Sequence, residues 1–177
     1  MNLFNKCKKY LSDRLFIHFD FFISFIVGQI GFRIRYFSYR NRIKLGVKVL
    51  ISEMVTIKFP HRLSIGNNSF VGKGTFIQAS GNVIIGENVL IGPHCKIWSS
   101  NHNFSSIDKP INSQGHTFKK VIIEDDVWVG TGAIILSGSY LKKGTIIAAG
   151  SVVTKHFPEY SIIGGNPAKF IRSRIIE

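Results

Sequence analysis

The chain has 177 residues, 45% of them hydrophobic, which excludes an intrinsically disordered protein and allows one domain with a real core. Its two cysteines, Cys7 and Cys95, lie far apart, which excludes a disulfide framework and fits a reducing, cytoplasmic compartment. The net charge of +13 admits nucleic acid, an anionic membrane or a phosphorylated ligand as partner, but no recognised nucleic-acid motif accompanies it, and no nucleic acid is expected.

Residues 1–44 form the first segment. Ten of the 23 Lys/Arg but only two of the ten Asp/Glu fall within residues 1–48, so the basic excess has a local cause. Residues 15–32 are apolar and aromatic. Asp20, His18, Gln29 and a marginal length argue against a membrane span. No A-x-A-like site follows, as a signal peptide would need; Arg33 and Arg35 come next. The pattern predicts an amphipathic helix. Asp13, Asp20, Ser24, Gly28 and Gly31 share one face, and Leu15, Phe16, Phe19, Phe22, Ile23, Ile26, Val27 and Ile30 cover the others. Lys6, Lys8, Lys9 and Arg14 flank it before, and Arg33, Arg35, Arg40, Arg42 and Lys44 after. Two readings stay open: peripheral contact with the inner face of the cytoplasmic membrane, or a cap on the domain that follows.

Residues 45–158 carry a six-residue repeat. Each unit opens with an aliphatic: Ile65, Val71, Ile77; Ile85, Ile91, Ile97; Ile123, Val129, Ile135, Leu141, Ile147 and Val153. The second position is Gly at 66, 72, 86, 92 and 130. The fifth is small throughout except at Asn101 and Phe157. A chain that turns every six residues makes an all-β parallel β-helix of about five coils, in which three units close one coil. The opening aliphatic points inward, and the fifth residue must fit a tight corner. The register slips by two residues between Ile65 and Ile85, and by a further two between Ile85 and Ile123. The second slip predicts a loop outside the stack at 103–120. Residues 159–177 form a short C-terminal extension.

The units fit the pattern [LIV]-[GAED]-x-x-[STAV]-x. Together with Val127-Trp128-Val129-Gly130, the run Ala149–Lys155 and Gly164-Gly165-Asn166-Pro167-Ala168-Lys169, they closely resemble the hexapeptide-repeat acyltransferases of the sugar and surface-polysaccharide O-acetyltransferase type. The resemblance covers about residues 45–175. It implies a left-handed β-helix, a homotrimer with active sites between subunits, acetyl-CoA as acyl donor and a sugar or oligosaccharide acceptor.

Acetyl transfer to a hydroxyl needs a base, and histidine titrates near neutrality. His102 stands out because it follows Asn101, which breaks the small-residue rule at the root of the loop. The family's catalytic histidine lies at this exit, so the resemblance implies a catalytic role for His102 with Asn101 beside it. His116, in the loop, is a candidate acceptor contact, and His94 is read as corner packing. Cys95 occupies an inward position and reads as a small apolar residue, which favours direct attack in a ternary complex over a covalent route. Some relatives supply an oxyanion-binding Asn from the previous coil; the matching position here is Gly74. The resemblance further implies that Gly130, Thr131 and Ala149 line the pantetheine arm, that Trp128 packs on it, and that Thr154, Lys155, Lys169 and Arg172 form the cofactor's phosphate end.

Three other readings compete with this one. The γ-class carbonic anhydrases share this fold, but two of their three zinc-binding histidines stand five apart; here His94 and His102 are eight apart and His102 and His116 fourteen. No metal is expected. A non-catalytic scaffold and an N-acetyltransferase acting on an amino sugar complete the set.

Overall fold

The computed structural model describes residues 19–175, so the expectations for Cys7 and for the basic and apolar positions before Phe19 lie outside the described residues. Three parallel sheets form the three faces of a β-helix. The first stacks β1 (Lys44–Leu45), β4 (Leu63–Ile65), β7 (Val83–Ile85), β12 (Val121–Ile123) and β15 (Tyr140–Leu141). The second stacks β2 (Leu50–Ile51), β5 (Phe70–Val71), β8 (Leu90–Ile91), β13 (Trp128–Val129), β16 (Ile146–Ile147) and β18 (Ser161–Gly164), and ends on the antiparallel β19 (Lys169–Ser173). The third stacks β3 (Thr56–Lys58), β6 (Phe76–Gln78), β9 (Lys96–Trp98), β14 (Ile134–Ile135) and β17 (Val152–Val153). Five coils are complete and β18 begins a sixth.

All twelve unit-opening aliphatics are buried. Like residues stack on like across each ladder, as in Ile77↔Ile97 and Ile97↔Ile135, so the core is a continuous column. Burying each such side chain contributes about 1.5–3 kcal/mol before conformational entropy is subtracted. The fourth residue of nine units has positive φ: Asn68, Gly74, Asn88, His94, Asp126, Gly132, Gly138, Gly144 and Gly150. This left-handed step turns each corner, which explains why Gly, Asn and Asp dominate it. Ser80, Ser100 and His156, the three exceptions, stand where the third sheet leads into a longer connection. At the second position close stacking takes over: a Cβ on Gly130 would lie 2.6 Å from the amide nitrogen of Ala149.

The long excursion begins earlier than predicted. β10 (Ser100–His102) and β11 (His116–Phe118) form an antiparallel hairpin that leaves the stack right after the buried Ser99. The Lys119 amide donates to the Ser99 carbonyl at 3.0 Å and closes its root. Asn101 therefore leaves the inward column, while Phe157, the other misfit, stays buried.

The predicted single helix is also revised. Residues 19–24 are helical, the chain breaks over 25–27, and α1 (Gly28–Tyr39) restarts at Gly28, whose φ is +70°. Arg35 explains the break. The amides of Gly46, Leu50, Ser52 and Thr56 donate to carbonyls of the second coil, whose amides bond back to the Val47, Glu53 and Lys58 carbonyls, while the Ile51 carbonyl lies on β2, the terminal strand of its sheet. Buried Arg35 caps that edge: its Nε donates to the Ile51 carbonyl at 2.7 Å, and its Nη1 to the carbonyls of Ile23 (3.0 Å) and Ile26 (2.6 Å). Those last two carbonyls are available only because the helix opens there. Tyr39 and Ile43 close the core behind it.

Candidate active site

The hairpin holds His102 and His116 directly across from each other, with ring centroids 4.2 Å apart. Both rings are exposed. The Asn101 Oδ1 accepts from the His102 amide at 3.1 Å. Beyond the pair, Asn103 ties the loop together: its Nδ2 donates to the Gln114 carbonyl at 3.0 Å and its Oδ1 accepts from the Thr117 hydroxyl at 2.6 Å.

Asn101 and His102 line two cavities, one on each side of β10. The larger, about 680 Å3, runs over the outer face of the third sheet. Phe59, Trp98 and Phe118 supply aromatic walls, and Lys96 is the one Lys or Arg among the described residues that line it. Among the described residues no Asp or Glu lines it. Trp98 stacks on Phe76 at 5.2 Å, which fixes its plane. The second cavity, about 510 Å3, lies between the hairpin, Lys119 and Ser137.

Two polar atoms of the larger groove, Gln78 Oε1 and Ser80 Oγ, are buried without a hydrogen-bond partner. Arg35 carries the remaining such atom among the described residues. Buried polar groups are normally paired, so an orphaned one next to a cavity is a mark of a ligand site. Their backbone is fixed independently. The Ser99 hydroxyl donates to the Gln78 carbonyl (2.7 Å) and accepts from the Gly81 amide (2.8 Å), and Arg62 donates to the Ser80 carbonyl. A Cβ on Gly81 would collide with the Ser99 carbonyl, so this turn needs glycine.

The sequence-derived cofactor residues lie elsewhere. Trp128 is half exposed on the outer face of the second sheet. Gly130 and Thr131 form the corner from the second to the third sheet, stacked directly on Ala148 and Ala149; the Gly150 amide donates to the Thr131 carbonyl at 2.9 Å. Thr154 and Lys155 follow β17, and Lys169 and Arg172 are exposed on β19. None of these eight lines the larger groove. Gly74 is engaged in stacking, since its amide donates to the Glu53 carbonyl at 3.1 Å. Cys95 is fully buried, its Sγ 3.2 Å from the Gly130 carbonyl, and burial pushes its thiol above the ordinary value.

The family description for bacterial transferase hexapeptide (six repeats) matches residues 120–155. A Schizosaccharomyces pombe protein named as an acetyltransferase is 32% identical over 143 residues, which cover 75% of this chain and 68% of that protein. The chain belongs to the hexapeptide-repeat acetyltransferases. An Escherichia coli protein named for colanic acid biosynthesis acetyltransfer is 28% identical over 75% of the chain and 70% of its own length. The galactoside O-acetyltransferase of Lactococcus lactis is 32% identical over 66% and 59%. With relatives from Saccharomyces cerevisiae and Mycobacterium tuberculosis the chain spans 54% and 45% of the partner, about half of each. A Vibrio cholerae hexapeptide-repeat acetyltransferase solved with acetyl coenzyme A superposes with TM-score 0.78 at 27% identity, covering 87% of this chain and 82% of that one. An N-acyltransferase of Bacillus cereus shares the fold, with TM-score 0.66 at 19% identity over 80% and 90%. Within the hexapeptide-repeat family, Gln78, Ser80, Lys96 and Trp98 of this chain were not singled out by sequence reading. Gln78 and Trp98 occupy the second position, but only five of the twelve units carry Gly there, so the sequence held no signal that set them apart.

Proposed function

We propose that the protein transfers an acetyl group from acetyl-CoA to a hydroxyl of a sugar acceptor, with His102 as general base. The observation that carries the reading is that His102 lines two separate cavities, room for a donor and an acceptor at once. The acceptor hydroxyl gives its proton to the His102 imidazole as its oxygen attacks the thioester carbonyl. A C–O bond forms, the C–S bond breaks, and the proton passes to the departing sulfur. Deeply buried Cys95 favours this direct route over an acyl-cysteine. Asn101 orients the start of β10 beside the base.

The acceptor takes the larger groove, which spans the third sheet from Phe59 on the first coil to Ile134 and Leu136 on the fourth, while Lys155, Lys169 and Arg172 lie beyond it towards the last coil. Those cations meet the phosphates of coenzyme A, Thr154 sits with them, and the small corner of Gly130, Thr131 and Ala149 lets the pantetheine arm approach, with Trp128 against it. The relative solved with acetyl coenzyme A supports the donor. For the acceptor, the uncharged Gln78 and Ser80, the aromatic walls and the absence of a carboxylate among the described lining residues favour a sugar hydroxyl over an ammonium-bearing amino sugar. The colanic acid and galactoside relatives support a saccharide, and the former a role in surface polysaccharide. The active unit is a homotrimer, as closed cyclic assembly would bury the flat faces of a short β-helix; a single-chain mass in light scattering would count against it. The test of the reaction is acetyl transfer from acetyl-CoA to a panel of neutral and amino nucleotide sugars and oligosaccharides, read by mass spectrometry. Acetylation confined to amino sugars would overturn the O-acetyl reading.

A further inference from the structure

The segment that caps the first coil presents a second face of a different character. On α1, Gly31, Arg35 and Tyr39 face the β-helix and are buried. Ile30, Arg33 and Phe37 lie on the opposite side, with Ile30 69% exposed. In the preceding turn Phe21 packs edge-on against Phe22 and Phe25, with centroids 5.8 and 5.0 Å apart, yet all three remain exposed, Phe22 at 71%. Val27 continues the patch. On the same helix Arg33 and Arg40 are exposed beside it, and the Arg40 guanidinium lies 5.5 Å over the Phe37 ring. The one acid between residues 19 and 48 is Asp20, and both its oxygens are held by Arg42 at 2.6 and 2.8 Å.

Clustered exposed phenylalanines are unfavourable in water and mark a contact surface. The charge decides the occupant. A second copy of this chain, itself at +13, would bring more cations to a rim whose described residues include no free acid, whereas an anionic lipid headgroup neutralises them. No helix among the described residues is long and apolar enough to cross a membrane, so the segment would lie along one. We propose that residues 19–40 are an interfacial anchor that docks on an anionic bilayer, with the phenylalanines at the headgroup boundary and Arg33 and Arg40 on the headgroups. Combined with the sugar-acetylation reading, on which the choice of acceptor rests but the docking does not, the anchor would hold the acceptor groove near saccharides carried on lipid.

The test is co-sedimentation of the full chain with vesicles of phosphatidylcholine containing phosphatidylglycerol, against phosphatidylcholine alone. The full chain should pellet with the anionic vesicles only and be released by high salt. The exposed-site variant Phe21→Ser/Phe22→Ser/Phe25→Ser should bind at least about tenfold more weakly while its thermal midpoint and its acetyl-CoA binding hold. Arg33→Gln/Arg40→Gln should bind more weakly and lose part of the salt dependence. A full chain that stays in the supernatant overturns the anchor, as do variants that pellet like the parent. If instead the phenylalanine variant loses a subunit in light scattering, the face is an interface between copies. Pelleting without acetyl transfer to any sugar would leave the anchor standing and remove the sugar reading.

Discussion

Ser80 loses the shelter of water and gains no protein partner, an arrangement that costs stability unless a ligand completes it. Ser80→Ala removes only the hydroxyl, so the fold should tolerate it. If the groove reads an acceptor hydroxyl there, the acceptor KM should rise up to roughly tenfold with the acetyl-CoA KM unchanged. A shift in the acetyl-CoA KM alone would move the donor into this groove. Gln78 makes the same argument through its unpaired Oε1. At this scale the sequence was partly legible. Asn101 stood out because a corner position that should be small and inward was neither, and His102 followed from it. Ser80 did not stand out, because a serine at a corner is ordinary; its orphaned oxygen is visible only once the neighbouring coil and Arg62 are in place. The pairing of His102 with His116 likewise depends on the hairpin register.

Among the elements, the first coil and α1 form the least repetitive unit, and Arg35 binds them. Its three hydrogen bonds hold one edge carbonyl and two carbonyls of the broken helix. Burial also lowers the Arg35 pKa, although Glu53 and Tyr39 oppose that shift. Arg35→Met keeps much of the volume but leaves those carbonyls unpaired, and should destabilise the protein by roughly 2–4 kcal/mol in urea unfolding. A loss below about 0.5 kcal/mol would mean that the cap does not depend on this residue. Amphipathic periodicity predicted one continuous helix here because nothing local marks the break: Gly28 and Gly31 read equally well as a small-residue face. The interruption exists because the exposed edge of the first coil needs a donor and Arg35 needs acceptors, a long-range demand that local pattern does not encode. The stacked strands were legible because each unit repeats one physical rule. The hairpin was legible as a slip in register, but its pairing from Ser100 onward was not.

In the whole molecule, the coils order the functions along one axis. On the proposed reading the lipid-facing segment of residues 19–40 stands at one end, the acceptor groove spans the first four coils beside His102, and the cations assigned to the cofactor stand at the other end. A β-helix suits this division because each coil adds one turn of scaffold without moving its neighbours. The family and the β-helix followed from the hexapeptide frame, whereas the broken helix and the acceptor groove needed the folded chain. The central claim is that the two cavities flanking His102 are one acetyl-transfer site. It is tested most directly by steady-state turnover of His102→Ala with acetyl-CoA and whichever sugar the native enzyme acetylates, alongside coenzyme A binding to the same protein. The account predicts a kcat at least roughly 100-fold lower with coenzyme A affinity nearly unchanged; turnover at the native rate would contradict it.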